Sequence, residues 1–261
     1  MADKKYEFIK TEARGRVLVV TINRPESFNS LHPAANREMG EAFDDFAVND
    51  DQWVAIVTGE GPKAFSAGND LKWTAENQGK LEIPPRGFGG LTNRFDLDKP
   101  VIAAVNGVAL GGGFEIALAC DIILASSNAK FGLPEPKVGL AALAGGLHRL
   151  PRQIGLKNAM GMMLTGRHVD AAEAFRLGIA QEVVEPAKLM ERALAWAEEV
   201  AACAPLSVRT TKHVVMESLG RPLEEAAHAK YPAVDKLFQS EDFVEGPRAF
   251  AEKRRPNWKG R

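Results

Sequence analysis

The stretch Asn106-Gly107-Val108-Ala109-Leu110-Gly111-Gly112-Gly113-Phe114-Glu115-Ile116-Ala117-Leu118-Ala119-Cys120-Asp121 decides how this chain is read. Before it stands Val101-Ile102-Ala103-Ala104-Val105, an apolar, β-branched run of strand length. Three glycines then open a helix predicted over 114–119, and 121–125 reads as a further strand. Strand, glycine turn, helix and strand in that order argue for an α/β core.

Working outward, 6–11 and 17–23 are short β-branched and aromatic runs joined by 12–15, and they read as a hairpin closed by Arg24 and Pro25. Met39, Phe43 and Phe46 recur at helical spacing within 36–46, and 53–58 then reads as a buried strand. Between Gly79 and Gly90 the prolines and glycines predict a mobile loop, of the kind that covers a site or merely connects two elements. Beyond Pro186 the segments 189–202, 206–219, 223–238 and 243–253 are amphipathic at helical spacing, with no strand between them. The expected division is therefore a core over 1–195 that holds the site and a helical region over 196–261.

The composition narrows the function. Thirty-three Lys and Arg against 34 Asp and Glu leave a net charge of −1, so no overall basic field points to nucleic acid or an anionic membrane. Apolar runs are interrupted by Gly, Glu or Asp before they reach spanning length, and the charged start over 1–6 leads to neither a signal-type nor a transit-type segment. A cytoplasmic protein is expected. Cys120 and Cys203 lie in apolar helical runs and read as buried free thiols. His32, His148, His168, His213 and His228 are scattered without nucleophile-triad or metal-ligand spacing, and structural or surface roles are expected for them.

The chemistry concentrates in three places. Gly111, Gly112 and Gly113 let the backbone approach a ligand, and the first amides of a helix have no internal partners, so they can donate to developing negative charge. The same glycines also suit a tight structural turn. They lack the Lys-Ser or Lys-Thr of a P-loop and the glycine spacing of a dinucleotide fingerprint.

Glu115 follows in the first turn among apolar neighbours, where burial would raise its pKa towards values useful for proton transfer; a solvent-facing helix-start glutamate fits the same spacing. Glu135 lies between Pro134 and Pro136, a rigid placement that suits a catalytic side chain and equally an exposed turn. Two carboxylates near an oxyanion hole could bind one water and move one proton. Upstream, Ala64-Phe65-Ser66-Ala67-Gly68-Asn69-Asp70-Leu71 is another glycine turn before a helix, with Asp70 as its expected cap.

Taken together, Asn23-Arg24-Pro25 with Asn29-Ser30-Leu31, the 64–71 segment, Asn106-Gly107 with Gly111 to Glu115, and Leu133-Pro134-Glu135 resemble the crotonase (enoyl-CoA hydratase and isomerase) superfamily over essentially the whole chain. The resemblance implies a spiral of repeated ββα units with a helical C-terminal trimerisation region, assembled as a homotrimer or a dimer of trimers. It implies that the amides of Asn69 and Gly112 form an oxyanion hole for a thioester oxygen. It places Glu115 and Glu135 at the two glutamate positions of the hydratases, so reversible hydration of a 2-enoyl-CoA to a 3-hydroxyacyl-CoA is expected. An enoyl-CoA isomerase and a non-catalytic acyl-CoA-binding trimer are the competing expectations.

For coenzyme A the matching positions are Ser27, Phe28, Ala67 and Lys72, with Phe250 and Lys253 supplied by a neighbouring subunit. Coenzyme A enters as part of the substrate; no metal or redox cofactor is implied. Within the superfamily, 87–92, 95–107 and the tail from Ser240 to Arg261 resemble the carnitinyl-CoA dehydratases. The loop 139–146 departs from the more polar pattern usual there, and its 140–144 run suggests a hydrophobic acyl pocket. A trimethylammonium group would favour an aromatic cage, for which Trp73 and Phe88 are the candidates.

Overall fold

The computed structural model describes residues 5–80, 82 and 84–261. Leu81 and Ile83 of the 79–90 loop, and residues 1–4 of the charged start, lie outside the described residues.

β1 (Ile9–Arg14) and β2 (Val17–Ile22) form the expected hairpin, with Arg14 opposite Val17. β1 runs on past residue 11 because the turn is only Gly15-Arg16, and Gly15 takes the left-handed φ of 58° that so short a turn requires. Next come α1 (Pro33–Val48), β3 (Val54–Gly59), β4 (Ala64–Ser66) and α2 (Leu71–Glu76). β5 (Val101–Val105), β6 (Val108–Leu110) and α3 (Gly112–Ala119) follow, then β7 (Ile122–Ser126) and β8 (Lys130–Gly132). α4 (Gly146–Ile154), α5 (Leu156–Thr165), β9 (His168–Asp170), α6 (Ala171–Arg176) and β10 (Glu182–Val184) lead to α7 (Leu189–Ala201). α8 (Pro205–Ser218), α9 (Leu223–His228), α10 (Pro232–Phe238) and α11 (Glu241–Ala251) complete the chain.

The strands form two sheets, in the orders β1-β2-β3-β5-β7-β10 and β4-β6-β8-β9. Successive pairs β3-β4, β5-β6 and β7-β8 each give one strand to each sheet, which is the ββα spiral. In the larger sheet β2, β3, β5, β7 and β10 pair in parallel, and the central strands are buried on both faces. Near-continuous apolar runs are what such strands require. Leu18, Val20, Ala55, Val57, Val101 and Ala103 point into the main core with Phe43, Phe65, Phe114 and Phe131. Val17, Val19, Val54, Ile56 and Ile102 point the other way, onto Leu189, Ala193 and Ala197 of α7. Those three α7 residues stand four apart, one stripe of a helix; residue 195 lies inside it.

α1 starts where His32 Nδ1 accepts a 3.1 Å hydrogen bond from Ala35 N and Pro33 fills the first turn. Its far end is closed by Lys99, whose ammonium donates to the carbonyls of Phe46 and Asn49, both at 2.7 Å.

Three expectations change. Segment 223–238 is two helices, because Pro232 lacks the N–H that would continue the first. The end of the 79–90 loop is a buried 3-10 turn over Phe88–Gly90, tied down by Gly89 N donating to Asn36 Oδ1 at 2.7 Å. Cys203 is exposed just past α7, whereas Cys120 is half-buried; both are free thiols. Among the described residues, no helix is long and apolar enough to cross a membrane.

Candidate active site

The two glycine turns meet. A Cβ on Gly68, whose φ is 88°, would sit 2.8 Å from Gly112 N and 2.7 Å from Leu110 O, so only glycine admits this approach. The 64–71 turn is held by side chains read earlier only as sequence motifs. Asn29 Nδ2 donates to Ala64 O at 2.7 Å and to Glu60 O at 3.0 Å, and Ser66 Oγ donates to Asn29 O at 2.8 Å. Gly68 N donates to Ser66 Oγ at 3.1 Å. Asn106 Nδ2 donates to Gly59 O at 2.9 Å and Gly61 O at 2.6 Å, stapling the end of β3 to the end of β5.

Asp70 caps α2 as expected, its Oδ1 accepting from Trp73 N at 3.1 Å, while its Oδ2 pairs with Arg24 at 2.9 Å. Burial alone would raise the Asp70 carboxyl, but the Trp73 amide and the Arg24 guanidinium outweigh it and hold the pKa below its ordinary value.

The Asn69 and Gly112 amides flank this junction, and among the described residues neither donates to another protein group. At Gly112 the amide opens α3, where no helical partner exists. The ring of Phe88 closes against Gly112, and the Ser66 carbonyl against Gly113, so neither position has room for a side chain.

Glu115, only 3% exposed, points inward from the first turn of α3. Its Oε1 accepts from Gly146 N, the first amide of α4, at 2.8 Å. Glu135 opens the 3-10 turn Glu135–Val138 after β8, and its Oε1 lies 3.1 Å from where a Gly111 Cβ would be. The buried Oε2 of Glu135 has no hydrogen-bond partner among the described residues.

Both carboxyls are raised. Burial is the main cause for Glu115, pushed up to about 7 with the charge of Glu135 adding to it, while Gly146 N, Ala144 N and Arg149 oppose. Burial likewise raises Glu135. An acid and base pair, both raised above the ordinary carboxyl value and beside two free backbone donors, can move one proton while holding a developing oxyanion.

Of the expected coenzyme A contacts, Phe28 and Ala67 are brought together, since Ala67 N donates to Phe28 O at 2.9 Å. Ser27 lies in the 3-10 turn just before Phe28, and Lys72 is exposed on α2. Phe250, 87% exposed, and Lys253 stand on and just beyond α11, and among the described residues neither makes a hydrogen bond, ion pair or ring contact to this site.

The proposed cage pair is not assembled. Phe88 is buried against Gly112, whereas Trp73 lines a cavity of about 330 Å³ with His32, Arg37 and Glu82, and no ring contact joins the two aromatics. In the 140–144 run Ala142 is buried and Leu140 and Leu143 are exposed. Among the described residues no cluster of three His, Cys, Asp or Glu side chains is placed to hold a metal ion.

Gly146 and Arg149, which act on Glu115 from α4, were not singled out in the sequence. The Gly145-Gly146 pair ahead of an amphipathic helix was the signal that could have found the first.

The ββα spiral thus carries two glycine-turn amides and two glutamates of raised pKa. The chain belongs to the enoyl-CoA hydratase/isomerase family, which it matches over residues 12–261. It is 46% identical over 255 residues to a carnitinyl-CoA dehydratase of Citrobacter koseri, covering 95% of this chain and 96% of that one. It is 44% identical over 263 residues to the carnitinyl-CoA dehydratase of Escherichia coli, covering 98% and 99%. The crystal structure of an enoyl-CoA hydratase from Mycobacterium tuberculosis superposes with a TM-score of 0.91 at 41% identity, over 97% of this chain and 99% of that one. That of an enoyl-CoA hydratase from Bacillus anthracis gives 0.89 at 35% identity, over 98% and 100%.

Proposed function

We propose that the protein catalyses reversible addition of water to a 2-enoyl-CoA. The amides of Asn69 and Gly112 hold the thioester oxygen, which becomes an oxyanion as the enolate forms; each such donor stabilises the transition state by about 3 kcal/mol. Glu115 takes a proton from the attacking water, whose oxygen bonds to the β carbon, and Glu135 delivers a proton to the α carbon. Dehydration runs the same steps backwards. The observation that carries this reading is the carboxylate pair itself. Glu115 is held by one oxygen on Gly146 N, while the buried Oε2 of Glu135 is left unbonded by the protein. A single shuttling carboxylate, as an isomerase needs, would not call for the second.

Backbone at Ser27, Phe28 and Ala67 receives the coenzyme A, and Lys72 lies near its phosphates. Phe250 and Lys253 serve the site of a neighbouring subunit in a homotrimer or dimer of trimers. The exposed Val215, Met216, Leu219 and Leu223 of the helical region support such assembly. The dehydratase relatives favour a carnitine-type acyl group, whereas the apolar 140–144 run favours a plain acyl chain. Following enoyl-thioester absorbance with crotonyl-CoA, crotonobetainyl-CoA and a longer 2-enoyl-CoA ranks these. Conversion of a 3-enoyl-CoA with no hydration of any 2-enoyl-CoA would replace the reading with isomerisation.

A further inference from the structure

We infer that Arg149 is a positioning residue for this reaction, bracing the α4 terminus that carries Gly146 and presenting a positive charge to Glu115. The inference rests on the reading of Glu115 and Glu135 given above.

Geometry carries it. Arg149 N donates to Gly145 O at 2.8 Å, and its side chain folds back so that Nη1 occupies the place a Gly145 Cβ would take; Gly145 accordingly has a φ of 105°. The next residue is Gly146, whose amide holds Glu115. The other side of the guanidinium is covered by Phe95, with Cζ 5.6 Å from the ring centroid. Phe95 belongs to the segment that begins at Phe88, the ring packed on Gly112. One stretch of chain thus touches both the oxyanion donor and the guanidinium that rests on Gly145.

The guanidinium makes no hydrogen bond or ion pair among the described residues, so its charge acts through half-buried space. Facing Glu115 are Glu135 from the turn after β8 and Arg149 from α4. β4, β6 and the Phe88 turn, which also pack on α3, carry no titratable side chain. On α4 His148 and Arg152 are exposed, and the Cys120 thiol at the end of α3 is kept neutral by burial. Among the described residues Arg149 is therefore the cation that faces Glu115.

The test is the pH dependence of kcat/KM for crotonyl-CoA in the parent, Arg149→Met and Arg149→Lys. Loss of the charge is expected to move the acid limb up by about half a pH unit, about threefold in rate at pH 6 with little change at pH 9, and Lys should restore most of it. A loss by the same factor at every pH, or an unmoved limb, overturns the proposal. Should Arg149→Met fail to fold, Phe95→Leu at its exposed position lets water screen the guanidinium, and a smaller shift of the same sign is expected; none overturns the proposal. Titration of the Glu115 carboxyl by 13C NMR, assigned with Glu115→Gln, reads the same shift without turnover. If the parent hydrates no enoyl-CoA, the reading of the site fails, while the carboxyl titration still decides whether Arg149 acts on Glu115.

Discussion

The ring of Phe88 stands where a side chain at position 112 would have to go: a Cβ on Gly112 would lie 2.6 Å from Phe88 Cε1. Gly112→Ala must push either that ring or the α3 terminus aside. Overpacking of this kind costs about 1–3 kcal/mol of stability. Displacing the amide removes an oxyanion donor, so kcat should fall about 100-fold or more while acyl-CoA affinity changes little. Steady-state kinetics beside a binding titration check this; unchanged kcat would remove Gly112 from the mechanism.

Glu115 weakens the fold it serves. Its folded pKa is about 7, above the ordinary value of 4.5, so between those values the folded chain holds the proton and the unfolded chain releases it. The cost is therefore absent below pH 4.5, grows as pH rises, and is complete above 7. Glu115→Gln removes it, and the variant should exceed the parent in unfolding free energy by on the order of 2 kcal/mol at pH 8. That gain should vanish by pH 4.5. Denaturant melts at both pH values test the sign.

Asp70 behaves in the opposite sense. Its folded pKa lies below the ordinary value, so its contribution is present above that value and is lost as pH falls through the lowered one. Asp70→Asn gives up the Arg24 ion pair and weakens the cap on α2, and about 2 kcal/mol should be lost at pH 7. The gap to the parent should narrow in acid, as urea midpoints across pH 3 to 7 would show.

Lys99, 3% exposed, donates to two carbonyls at the end of α1. Lys99→Met keeps the stem and leaves both acceptors without that donor, for an expected loss of about 2–4 kcal/mol. Because α1 carries Asn36, which holds the Phe88 turn through Gly89 N, activity at low temperature should fall less than thermal stability does. A melt and a rate at 15 °C separate the two.

What could be read from the sequence follows physical range. β2, β3, β5 and α3 are announced by near-continuous apolar runs and α1 by its helical periodicity, because the first four are buried nearly all round and α1 on one face. The second sheet is hidden: β4, β6, β8 and β9 are three residues each, too short to show a period. The break between α9 and α10 was written in Pro232, yet amphipathic spacing across it outweighed that proline in the reading.

At the site, Glu115 stood out by local contrast, a carboxylate among Phe114, Ile116 and Ala117. Its partner Gly146 is thirty-one residues away and acts through a backbone amide, which leaves no side-chain signature. Trp73 and Phe88 were the candidates for an aromatic cage around a trimethylammonium group, but Phe88 is committed to packing against Gly112.

The most direct measurement is the rate of enoyl-thioester absorbance change with crotonyl-CoA for the parent, Glu115→Gln and Glu135→Gln, with folding checked by circular dichroism. Both variants should lose about 100-fold or more in kcat with acyl-CoA binding retained, as expected when a general acid or base is removed. Full activity in either folded variant would contradict the two-glutamate mechanism.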